Sequence, residues 1–313
     1  MLSGSRIFYL LVMITGLIAC GSPSEKPLRV GSIPWAGYEF LYLARDQLYY
    51  DDAKIQLKEL SSTTDVIHAF RQGQLDAVAI TLDEALRLTA YQSDFKIILV
   101  FNISHGADKL IVAPHIDSLA DLKGKRIAVE QSGVGRFMLS QLLQLSGLNL
   151  NDIATVPATI NQHFFLLDNH QVDAVISFDP VAYQLQQQGY RNLLDSRQLP
   201  IAILDVLVVR EKVLDHHPET VQHLLQGYWK ARGLMVDNPK VAMDSIAQRL
   251  GVSKEALVLL YQDLILPDKH QQQEMLDYQL ANIIESMNKM MLETGLLKHA
   301  ITPRQLIADI KMD

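Results

Sequence analysis

The sequence predicts an α/β chain of two lobes, each a mainly parallel sheet flanked by helices. Strand-like apolar runs alternate with stretches of helical spacing from Leu28 onward, and that alternation produces parallel sheets covered on both faces. The cycle then restarts. Arg29-Val30-Gly31 aligns with Arg126-Ile127-Ala128, and Gln74-Leu75-Asp76-Ala77-Val78 with Gln171-Val172-Asp173-Ala174-Val175. Both matches have an offset of 97 residues (29 to 126, 74 to 171), the mark of an internal repeat. A length of 313 residues suits two domains.

The first lobe opens with an apolar run at 28–33, ended by Pro34, that reads as a buried strand. Residues 39–48 have helical spacing, with Leu41, Ala44 and Leu48 on one face. A strand at 55–60, a helix at 64–73 stopped by Gly73, a strand at 75–81, a helix at 83–91 and a long β-rich run at 95–103 follow. The second lobe repeats the order: strand 125–132, helix 134–147 closed by Gly147, strand 153–158, helix 161–169 and strand 172–178. Residues 201–211 form another strand candidate, suited to carry the chain back to the first lobe. Beyond residue 211 the pattern is mostly helical.

The N-terminus reads as an address. Arg6 precedes an apolar run at 7–14, and small residues follow, the layout of a secretory signal. The run is too short for a span of about 20 residues. The single cysteine, Cys20, closes Leu17-Ile18-Ala19-Cys20. This resembles the bacterial lipoprotein box, which implies removal of 1–19 and lipidation of Cys20. Acyl chains at about 0.8 kcal/mol per CH₂ would anchor a soluble body to a membrane. Residues 20–27 are then the lipidated end and a polar tether. Gly21 rather than Asp after the cysteine favours the outer membrane, periplasmic face, where the cell has one. One cysteine permits no intrachain disulfide. A net charge of −7 without like-charge blocks argues against nucleic acid as a partner.

Several segments are similar to the solute-binding proteins of ATP-binding-cassette importers, in the nitrate, taurine, sulfonate and thiamine-pyrimidine-precursor group. They are RVGSIPWAGYEFLYLARDQLYY, SSTTDVIHAFRQGQLDAVAITLDEAL, SLADLKGKRIAVEQSGVGRFML and VDAVISFDPV. The resemblance implies a two-lobed periplasmic-binding-protein fold (Venus-flytrap, type II) with crossings near 102–109 and 204–210. Lobe 1 is then 28–104 with 206–313, and lobe 2 is 105–205. It also implies a monomer that captures a small solute and delivers it to a permease. The alternative is a flytrap that reports solute to a membrane signalling protein.

Ligands of open parallel sheets bind beyond the carboxyl ends of the strands, near helix N-termini. That rule selects Trp35, Gly37, Tyr38 and Glu39 after the first strand, Ser61, Ser62, Thr63 and Thr64 after the second, and Thr81 and Asp83 after the third. In the second lobe it selects Ser132, Gly133, Val134, Gly135, Phe178 and Asp179, with Asp108 and Asp205 at strand ends nearby. The 97-residue offset places Trp35 opposite Ser132. Trp35 and Tyr38 supply stacking surface or cap the sheet. The serines and threonines at 61–64 hold an anionic head or serve as an N-cap. The glycines at 133 and 135 allow close backbone approach or form a plain turn. Acids outnumber the nearby Lys109 and Arg136, pointing to a ligand with an amine, a heterocyclic N–H or both charges. No zinc-protease, phosphate-loop or nucleophile-elbow motif occurs, so neither an enzyme, a cofactor nor a metal is expected.

Overall fold

The computed structural model describes residues 26–311; the lipoprotein box and Cys20 lie outside them. Eleven strands occur among the described residues: β1 (Leu28–Ser32), β2 (Ile55–Glu59), β3 (Ala77–Thr81), β4 (Phe95–Ser104), β5 (Asp108–Val112), β6 (Arg126–Val129), β7 (Ala154–Pro157), β8 (Ala174–Phe178), β9 (Arg191–Asp195), β10 (Leu204–Arg210) and β11 (Leu264–Ile265). They form two sheets, ordered β11-β4-β10-β3-β1-β2 and β7-β6-β8-β5-β9.

Each sheet is mixed. The trio β2-β1-β3 is parallel, as is β7-β6-β8. The added strands β10, β4 and β11 in one sheet, and β5 and β9 in the other, pair antiparallel. The sequence pattern locates the parallel trios because helical crossovers separate their strands. It does not separate β5 from the apolar run before it, and it misses β9, a short edge strand.

The chain passes between sheets at 105–107 and returns over 196–203. The return precedes the expected 204–210, because that segment is already strand β10, wholly buried between β3 and β4. Burial on both faces explains its unbroken apolar core, Val206 to Val209.

The repeat is visible as geometry. Arg29 Nε donates to Asp76 at 2.7 Å and its Nη2 to the Gly73 carbonyl at 2.9 Å. Ninety-seven residues later, Arg126 Nε donates to Asp173 at 3.1 Å and its Nη2 to the His170 carbonyl at 3.0 Å. The same fork ties the first and third strands at the edge away from the cleft in both halves.

The C-terminal helices, including Pro218–Asp237, Pro239–Leu250 and Leu280–Glu293, bury Leu224, Tyr228, Ile246, Ile284 and Met287. Among the described residues, no helix is long and apolar enough to cross a membrane.

Candidate functional site

The antiparallel strands bring carboxyl groups to the ends of the parallel ones. Register sets Asp205, at the start of β10, beside Thr81 at the end of β3 and Asn102 on β4. In the second sheet Asp108, at the start of β5, sits beside Phe178 at the end of β8. These ends face one another across a narrow cleft, about 300 Å³ when the space open to solvent is counted.

Eight residues selected from the sequence line it: Trp35, Tyr38, Thr63, Thr81, Asp108, Val134, Phe178 and Asp205. Ile33 and Glu84 also line it. Sequence reasoning passed over Glu84 because it lies inside a helix. Yet Thr-x-x-Glu is a capping-box spacing, and Glu84 Oε2 accepts the Thr81 N–H at 2.8 Å. That fixes the side chain at the β3 rim.

A hydrogen-bonded chain braces one wall. Trp35 Nε1 donates to Asn102 Oδ1 at 3.2 Å, and Asn102 Nδ2 to Asp205 Oδ2 at 2.6 Å. The Tyr38 hydroxyl donates to Asp205 Oδ1. Trp35 meets Phe178 of the other lobe edge-to-face, with centroids 5.4 Å apart. Ser132, which the offset pairs with Trp35, bonds Thr64 of the opposite lobe.

The electrostatics are acidic. Burial pushes Asp108 up to about 7, helped by the Asp205 and Asp179 charges and opposed by Ser104 and Lys109. Burial raises Asp205 to about 6 against the bonds from Tyr38 and Asn102. Burial, then the adjacent Asp83, holds Glu84 well above the usual carboxylate range. Burial and Asp205 raise Tyr38 as well.

The remaining selected residues do not line the cavity. Glu39 is buried against Arg249, which also reaches Glu59; burial lifts it to about 7 despite that cation. Ser61 and Ser62 bond Asp65 at 2.7 and 2.8 Å, and Ser62 caps its helix through the Asp65 N–H. Asp83 accepts from Thr81 at 2.7 Å and faces Arg87 at 3.3 Å. Asp179 pairs with Lys109 at 2.6 Å. Gly37 lies against Asn102 and Trp35, where a side chain would collide. Gly133 and Gly135 pack on Glu130 and Val129. Arg136 bonds the side chain of Gln131 at 2.6 Å.

Several of these groups close the lobes on each other. Thr64 donates its backbone N–H and its hydroxyl to Glu130 Oε1 at 2.9 and 2.6 Å. Arg87 donates to the carbonyls of Gln131, Ser132 and Gly133 at 3.2, 2.7 and 2.9 Å. Lys109 adds a 3.1 Å contact to Asp263, just before β11.

Comparison with known proteins agrees with this architecture. The family model described as NMT1/THI5 like matches residues 35–242. A Brucella abortus protein named as a binding protein is 24% identical over 171 residues, 51% of each chain. The taurine-binding periplasmic protein of Escherichia coli K12 is 22% identical over 192 residues, 60% of each. The match thus spans about half the length of the first of these relatives. Among solved structures, the alkanesulfonate-binding protein SsuA of Xanthomonas axonopodis pv. citri superposes with a TM-score of 0.74 at 19% identity, over 90% of this chain and 97% of that one. The desulfurization enzyme DSZB superposes at 0.63 and 19% identity, over 91% and 97%. The fold is that of two-lobed periplasmic binding proteins, a scaffold that also hosts an enzyme.

Proposed function

This chain belongs to the NMT1/THI5-like family, and we propose that it is the substrate-binding protein of an ATP-binding-cassette importer. It captures a small solute between its lobes and presents the closed form to a permease. One observation carries this reading: the cavity is walled by both sheets, with Trp35 from one against Phe178 from the other. A ligand touching both walls favours the closed state by its contacts to the second lobe, the thermodynamic basis of a flytrap.

The activity proposed is capture rather than turnover. Cys20 is lipidated after loss of 1–19, which holds a monomeric body outside the cytoplasm. The relatives' names add support, since one is a periplasmic taurine-binding protein.

A thermal-shift screen over taurine, sulfonates, pyrimidines, amines and amino acids, followed by calorimetry, tests the reading. Replacing Trp35 by alanine should weaken the best binder at least tenfold, about 1.4 kcal/mol. Equal affinity in the variant would remove Trp35 from the site, and conversion of the ligand to a product would replace the binding role with an enzymatic one.

A further inference from the structure

We propose that the occupant of the interlobe cavity is an organic cation, held by Glu84, Asp108 and Asp205 inside walls made by Trp35, Tyr38 and Phe178. This deepens the solute-binding reading and rests on it.

The lining contains three carboxyl side chains and no basic one. All three are buried, at 2, 4 and 3% exposure. Among the described residues none of them has a basic side chain within ion-pair distance. The two nearby cations are engaged elsewhere: Lys109 by Asp179 and Asp263, Arg87 by Asp83 and three backbone carbonyls. Glu84 gives Oε2 to the Thr81 cap, and no hydrogen bond within the protein reaches its Oε1. A buried carboxyl with an unused oxygen on a cavity wall calls for a donor from the occupant.

Several rim groups suited to an anion are engaged within the protein, although Thr63, at the start of its helix on the cavity wall, keeps its hydroxyl for an occupant. Ser61 and Ser62 serve Asp65, and Thr64 serves Glu130. A sulfonate would meet three buried acids, whereas an ammonium or protonated heterocycle meets aromatic rings and carboxyl groups that its charge draws into the ionised form. Among the described residues the carboxyls do not converge as a metal-binding group.

Calorimetry on the full-length protein with charge-sorted probes tests this. Benzylamine, choline and 4-aminopyridine are the cations, benzyl alcohol the neutral probe, and methanesulfonate and taurine the sulfonates. At least one cation should bind, and more tightly than every other probe. Glu84→Gln and Asp108→Asn should each weaken it tenfold or more, with unchanged far-ultraviolet circular dichroism showing that both variants fold. Tighter binding of a sulfonate than of any cation, with dependence on Trp35, would overturn the charge assignment and leave solute capture standing. The same holds if the cation binds equally well to both carboxamide variants. Silence from every probe, sulfonates included, would overturn both.

Discussion

Replacing Asp108 with Asn should stabilise the unliganded protein far more at pH 8 than at pH 4.5. The Asp108 carboxyl is 4% exposed, and Lys109 beside it is shared between Asp179 and Asp263. Burial lifts its pKa to about 7, against about 3.9 in an unfolded chain. The folded state therefore keeps a proton that the unfolded chain has already released. That proton favours the fold fully below pH ~4, and its contribution is lost as pH rises through about 7. A difference of about 3 units corresponds to roughly 4 kcal/mol. Asn cannot ionise, so it escapes this loss, and it also removes one charge repelling Asp205. Other groups shape the wild-type curve. Glu39, also near 7, acts in the same direction. His163 acts in the opposite one: burial lowers it to about 4, so its contribution is present above pH ~6.5 and lost as pH falls through 4. The difference between variant and wild type cancels both. Urea unfolding from pH 4.5 to 8.5 should show a gap that opens with pH and levels near 2–4 kcal/mol. Parallel profiles would refute the claim that this carboxyl carries an uncompensated charge.

Other perturbations probe separate parts of the molecule. Arg87→Met removes three bonds between the lobes while keeping the helix, so the unliganded protein should open. A larger radius of gyration by small-angle scattering and about tenfold weaker ligand binding are expected, and an unchanged radius would show that Arg87 does not hold closure. Gly37→Ala would drive a Cβ into Asn102 and Trp35. It should cost about 1–3 kcal/mol, read by urea unfolding, and should redshift Trp35 fluorescence as its packing loosens. Trp35→Ala should weaken the best ligand tenfold in calorimetry. Cys20→Ser should move the protein from the membrane fraction to the soluble one; retention in the membrane would refute the lipid anchor.

The parallel trios were legible because crossover helices impose a long, regular alternation, and because the Arg and Asp of the repeat recur at one spacing. The antiparallel additions were not. Strand β5 owes its place to pairing with β8, and β9 to pairing with β5, a long-range cause that local periodicity does not carry. The same limit governs the site. Strand-end rules found Trp35, Tyr38, Phe178, Asp108 and Asp205. They also gathered Ser61, Ser62 and Thr64, whose hydroxyls bond Asp65 or Glu130. Whether a rim hydroxyl faces a ligand or a neighbour is decided by side chains 3 to 66 residues away.

The duplicated halves diverge where it matters for recognition. At the edge away from the cleft, Arg29 and Asp76 repeat in Arg126 and Asp173 with the same bonds. At the rim, equivalent positions differ: Trp35 corresponds to Ser132, and Thr81 to Phe178. A fork that ties a strand to its neighbour is needed once per sheet whatever the ligand. A rim residue answers to the ligand and to the opposite lobe together, so symmetry there would waste half the contacts. The asymmetry gives each lobe a different task. The first lobe supplies Trp35, Tyr38, Glu84 and Asp205, while the second closes over them with Val134, Phe178 and Asp108. The second lobe adds the contacts that are made only on closure.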